Sequence, residues 1–266
     1  MTLNSALRLA ENENTLIKEV YILIYKPLDP DLNNKAHAYY SSPFITMHPF
    51  SPEDFPVNQG FPLKATKVFY LRKAIHFKQT AKILELTGQL RQPFDGNFNP
   101  AWAEEASQTA RKLEDQGAGV RYEIGSCGEM MRTIKTMTDG RTGDRLCDIN
   151  ITFVSFDSSM VRFPAGSPHS RHPVEVAPVD DKATREGQRH ECFIRHSIPY
   201  FWDMTAGGPF AVLYKCLNQQ RCIVGKVASY GFDQDAILVL NTDEVDEVVA
   251  LSTAVILLNG RDAMDH

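Results

Sequence analysis

The chain reads as a mainly β protein, a sandwich or barrel, that encloses an apolar helix near its C-terminal end. Three observations predict this. Short β-rich runs alternate with turn residues along most of the chain, a pattern unlike that of repeating βαβ units. A single stretch rich in Ala, Glu, Gln, Lys and Arg, residues 101–115, interrupts them as one inserted helix. Near the end, Val248, Val249, Ala250, Leu251, Ala254, Val255, Ile256, Leu257 and Leu258 make a helix apolar on nearly every face. Such a helix must be enclosed. It falls short of the ~20 apolar residues that cross a bilayer, so the β-structure before it is the place that can hold it.

The first β-rich run spans 20–28. The run 67–78 alternates with period two, placing Phe69, Leu71, Ile75 and Phe77 on one face and Tyr70, Arg72 and His76 on the other. Further runs follow at 81–86, 120–124 and 149–156, the last with Ile149, Ile151 and Phe153 on a common side. Asp139-Gly140 and Thr142-Gly143 supply turn chemistry before it. The inserted helix is expected to start at an Asn99 cap with Pro100 in first position and Glu104 and Glu105 in its first turn. A second insertion, 164–188, mixes Pro, Ser, His and both charges without periodicity and is expected to be a long, mobile loop. Strands are then expected at 190–203, 211–217, 222–230 and 236–241, joined by short turns that imply antiparallel pairing. Thr242 or Asp243 is expected to cap the final helix, with Glu244, Asp246 and Glu247 at its start and Gly260 at its end. One domain over 1–266 is expected, with insertions near 88–117 and 164–189.

Composition bounds the function. Of 266 residues, 43% are hydrophobic and 23% charged, with a formal charge of -5. This excludes a disordered chain, a collagen-like polymer and a disulfide miniprotein. The acidic balance and the lack of a basic block argue against a nucleic-acid partner. Residues 1–14 lack the apolar core of a secretory signal, so a cytoplasmic protein without membrane association is expected. Cys127, Cys147, Cys192, Cys216 and Cys222 form no C-x-x-C pair, so neither a zinc site nor a disulfide framework is expected. No phosphate loop, dinucleotide fingerprint, nucleophile elbow or H-E-x-x-H helix is present. His169 and His172 form H-x-x-H in a loop without an evident third ligand, and His190, Cys192 and His196 share strand parity, which reads as a core thiol beside histidine. No metal and no cofactor are expected.

Phe201-Trp202, Leu213-Tyr214-Lys215, Val224-Gly225-Lys226-Val227 and Leu238-Val239-Leu240, followed by Asp243-Glu244-Val245-Asp246-Glu247-Val248-Val249, resemble the C-terminal part of the tubby-like barrels, including their small fungal members. That superfamily takes in tubby proteins, phospholipid scramblases and plant LURP-one-related proteins. The resemblance covers about the last 80 residues. It implies a closed antiparallel barrel threaded by its own C-terminal helix, and a lipid-binding role. A lipocalin is disfavoured by the missing early G-x-W signature and by the apolar helix.

A second, weaker similarity is to cofactor-free cyclases and pericyclases of fungal secondary metabolism, hetero-Diels–Alder enzymes among them. They match in size and in having no recognised catalytic motif. Such catalysis needs only near-attack geometry and a donor aimed at an oxygen that gains charge. The expected activity is accordingly binding and conversion of a small hydrophobic substrate, with Arg72, His76 and Tyr200 as catalytic candidates. Tyr70, Phe98, Trp102 and Trp202 are the ligand-binding candidates, at a barrel mouth or beneath the insertions. The alternative is a non-catalytic lipid-binding or membrane-associated tubby-like barrel. An uncovered edge strand would favour a homodimer.

Overall fold

The computed structural model describes residues 55–72, 80–129, 132–152, 158–179, 190–204, 210–229 and 235–262, all within the compact unit Ile45–His266. The expected strand at 20–28, residue His76 and the single-domain boundary at residue 1 lie outside them.

Twelve strands form one closed antiparallel barrel. They are β1 (Lys67–Leu71), β2 (Ala81–Glu85), β3 (Val120–Glu129), β4 (Arg132–Asp139), β5 (Arg145–Thr152), β6 (Ser159–Arg162), β7 (Val174–Pro178), β8 (His190–Arg195), β9 (Ile198–Asp203), β10 (Phe210–Leu217), β11 (Gln220–Ser229) and β12 (Ala236–Leu240). Each strand pairs with its sequence neighbour, and β1 closes the barrel by pairing both β2 and β12. Closure leaves no unpaired edge among these strands. Register shifts in β2–β3, β4–β5 and β10–β11 mark bulges that help the sheet curl. At the last of these, Gly225 lies opposite Leu240, where a Cβ would come within 2.8 Å of the Leu240 side chain.

The two helices take opposite places. Helix α1 (Pro100–Asp115) lies against the outside of the barrel, burying Trp102, Ala103, Ala106 and Ala110 on one face. Asn99 caps it by accepting the Trp102 N–H at 2.8 Å. Helix α2 (Glu247–Asp262) fills the lumen, and every residue from Val248 to Leu258 is at most 2% exposed. Its apolar partners come from all around the wall, including Phe69, Tyr122, Ile149, Val176, Phe193 and Leu238. Each large aliphatic side chain buried this way contributes about 1.5–3 kcal/mol. The buried polar side chains described on α2 are satisfied: Thr253 accepts from Trp202 Nε1 at 3.0 Å, Ser252 meets the Cys147 thiol at 3.1 Å, and Asn259 donates to the Val255 carbonyl at 2.7 Å. Among the described residues no helix is long and apolar enough to cross a membrane.

Several sequence expectations change. The run 190–203 is two strands, because His196 (φ 51°) and Ser197 (φ 63°) form a tight left-handed turn without glycine. The expected loop 164–188 contains β7. Strands β4 and β6 lie outside every β-rich run of the sequence. Glu104 and Glu105 lie beyond the first turn of α1, since Pro100 opens it; they accept hydrogen bonds from Gln108 and from the Arg91 N–H. Asp246 caps α2 rather than Thr242 or Asp243, accepting the N–H groups of Val248 at 3.0 Å and Val249 at 3.1 Å. Gly260 lies inside α2, which runs on to Asp262.

Candidate functional site

Charged side chains gather at the mouth where the chain enters the lumen. After β12, Thr242 donates its N–H to Thr66 Oγ1 at 2.7 Å, and the N–H groups of Glu244 and Val245 fold back onto the Asn241 carbonyl. This turn presents carboxylates around the start of α2, and each meets a base from a different part of the wall. Asp243 pairs with Lys64 at 2.7 Å, Glu244 with Lys215 of β10 at 2.8 Å, and Glu247 with Arg121 of β3 at 3.1 Å. Asp246 meets His169, from the β6–β7 loop, at 3.1 Å and Arg195 of β8 at 3.5 Å. Burial alone would raise the Asp246 carboxyl; the hydrogen bonds from His169 and the Val249 N–H, with the charges of His169 and Arg195, outweigh it and hold the group below the usual carboxylate value. The collar thus fastens the helix start to the wall and satisfies its exposed N–H groups.

Beside the collar is an open cleft of about 350 Å³ lined by Gly60, Phe61, Pro62 and Lys64 on one side and Asn241, Asp243 and Glu244 on the other. The segment before it is pinned to the β10–β11 hairpin. Arg221 donates its N–H to the Pro56 carbonyl at 3.0 Å and accepts the Asn58 N–H at 2.9 Å, and the Asn58 side chain bonds Gln220 at 2.8 Å. The hairpin turns through Asn218 (φ 53°) and Gln219 (φ 59°). Among the described residues the exposed large apolar side chains are Val57 (38%), Phe61 (46%), Ile134 (45%) and Leu217 (48%). Three of these, Val57, Phe61 and Leu217, belong to this pinned segment and hairpin.

The sequence-predicted residues divide between the two sides of the barrel wall. Outside, the Arg72 guanidinium clasps Glu114 of α1 at 3.0 Å and Asp235 at 2.8 Å, and the Tyr70 hydroxyl lies 2.9 Å from Asp235 and 3.1 Å from Ser107. Burial is the main reason the Tyr70 phenol is raised. Phe98 packs on Trp102 at 5.9 Å and stacks on Phe210 at 5.7 Å, and Trp102 donates Nε1–H to the Gln92 carbonyl at 3.3 Å. Together these residues dock α1. Inside, Tyr200 stacks on Phe193 at 5.0 Å and donates to the Glu244 carbonyl at 3.2 Å, its phenol pushed up to about 12 by burial. Trp202 is wholly buried against α2. The wall separates Arg72 from Tyr200, so these two catalytic candidates do not share a site. His190 and Cys192 are buried on the outer face; His190 meets Asp203 at 3.2 Å, and burial, with Cys216 nearby, holds the Cys192 thiol well above its ordinary value. Among the described residues no three His, Cys, Asp or Glu side chains are grouped to hold a metal ion.

Local sequence reads the acidic stretch before α2 as helix caps and gives Lys64, Lys215, Arg195 and Arg121 no site role. Their roles depend on register around a closed barrel, which no local pattern encodes. Phe61 and Val57 sit in a stretch with Pro52, Pro56 and Pro62, where periodicity gives no signal.

No family model matches the chain, and no curated protein matches it. A solved X-ray structure of an Arabidopsis thaliana protein is similar at 13% sequence identity and a TM-score of 0.34, over 77% of this chain and 96% of that one.

Proposed function

We propose that the chain is a non-catalytic, lipid-binding barrel of tubby-like architecture, whose lumen is taken by its own helix and which docks on a membrane surface through its mouth. The observation that carries this is the exposed Phe61 ring on an open cleft at the mouth, with exposed Val57 on the same pinned segment and exposed Leu217 on the hairpin that pins it. Exposed apolar side chains rimmed by polar residues suit a contact surface. An exposed aromatic ring beside lysine suits the boundary between headgroups and acyl chains. The interior supports the same view, since α2 occupies the space a deep ligand would need. Arg72 and Tyr200 support it too, because their polar atoms are engaged in holding α1 and the collar.

The test is co-sedimentation of the full chain with phospholipid vesicles. Wild type is expected to sediment with them, and Phe61→Asp with Leu217→Asp to lose at least tenfold in binding while keeping the same melting temperature, because both side chains are exposed. Absence of vesicle binding overturns the proposal. So does conversion of a small hydrophobic molecule that depends on Tyr200 or Arg72, which would restore the cofactor-free cyclase.

A further inference from the structure

We infer that the cleft beside the collar receives the zwitterionic headgroup of a choline phospholipid; this rests on the membrane-docking proposal above. The cleft brings together an exposed aromatic ring, one cation and two carboxylates: Phe61, Lys64, Asp243 and Glu244. Its volume of about 350 Å³ is at the small end of ligand sites. That set is dipolar, and so is a phosphocholine group.

Lys64 and Asp243 pair at 2.7 Å with side chains 71% and 59% exposed. A pair so open to water adds little to stability, so its members separate readily. Lys64 then reaches the lipid phosphate, a charge-assisted contact that its ammonium suits. Asp243 faces the quaternary ammonium, and the Phe61 ring offers its face to the same cation. Glu244 keeps its place, because Lys215 holds its carboxylate at 2.8 Å and Tyr200 holds its carbonyl at 3.2 Å. Its charge is thereby balanced by Lys215, so Asp243 is the carboxylate left to face the cation. An anionic headgroup gains less here: Lys64 is the one cation of the lining and stands beside Asp243, and the whole chain has a formal charge of -5. Recognition is accordingly expected to depend weakly on salt, with apolar contact from Val57 and Leu217 adding affinity without headgroup preference.

The experiment compares binding of the full chain to vesicles of pure phosphatidylcholine and of pure phosphatidylglycerol, at low and high salt, with soluble phosphocholine as competitor. Expected is at least fivefold tighter binding to phosphatidylcholine, release by phosphocholine, and little change with salt. Asp243→Asn and Phe61→Leu should each reduce the preference to less than twofold while vesicle binding persists. Equal binding to both lipids without competition, or a phosphatidylglycerol preference that salt abolishes, overturns the headgroup inference and leaves docking in place. Binding to neither vesicle overturns docking itself.

Discussion

The two helices have the same length and opposite settings, and the contrast shows how one barrel uses each. Both α1 and α2 span 16 residues. In α1 the small residues Ala103, Ala106 and Ala110 let a single face lie close to the outer wall, while charged side chains face water. Its docking is edged by polar contacts, with Arg72 between Glu114 and Asp235, and Lys226 reaching the Gly96 carbonyl at 2.7 Å. In α2 no face is spared, so the strands around it and the helix are one core. A helix on the wall is an accessory that can open alone, whereas a helix in the lumen is part of the barrel's cooperative unit.

The largest test of that difference is a charge in each helix. Val255→Asp or Leu258→Asp places an unpaired carboxylate in the lumen and is expected to cost more than ~4 kcal/mol, unfolding the barrel. Circular dichroism against temperature reads this; an unchanged melting temperature in both variants would contradict the enclosed helix. Ala106→Asp is expected to cost less, about 2–3 kcal/mol, because α1 can lift into water. Fluorescence separates the two outcomes: Trp102 should become solvated while Trp202, bonded to Thr253, keeps its buried emission. If both tryptophans change together, α1 belongs to the same cooperative unit as α2.

The helix caps give a smaller contrast. Asp246→Ala is expected to cost about 1–2 kcal/mol and Asn99→Ala about 1 kcal/mol, both by denaturant titration. Asp246 carries the larger effect because His169 and Arg195 share its second oxygen. The two should also differ in pH dependence. The folded Asp246 carboxyl is held below its ordinary value, so its contribution is complete above the ordinary carboxylate range and is lost as pH falls through the depressed one. Asp246→Ala should flatten that acid limb, and Asn99→Ala should leave it unchanged. Equal acid limbs in wild type and Asp246→Ala would remove the collar's role in holding the helix start.

Much of this architecture is written in local sequence, and the rest is written in register. Phe69 and Leu71 against Tyr70 and Arg72 divide into lumen and outer face as their alternation predicts. The apolar run 248–258 is enclosed for the reason its composition requires. Strand β4 hides because Lys135, wholly buried with its amine lowered by burial to about 8, points the same way as Met137 and makes both faces look polar. The turn at His196 and Ser197 hides because it contains no Gly, Asn or Asp to mark it, so two strands look like one. The site was the least legible part. Of the catalytic candidates, Arg72 docks a helix on the outer wall and Tyr200 holds the collar from inside; of the ligand-binding candidates, Tyr70, Phe98 and Trp102 dock the same helix and Trp202 packs on α2. The collar and cleft join residues from opposite ends of the sequence, Lys64 with Asp243 and Arg121 with Glu247, which meet only after the barrel closes.

Native-state hydrogen exchange of the amides in α1 and α2 tests the central claim most directly. The amides of Val249 to Leu258 are expected to exchange only with global unfolding, at the same free energy as those of β10 and β11, while α1 amides open at lower free energy. Exchange in α2 as fast as in α1 would contradict a helix enclosed by the barrel.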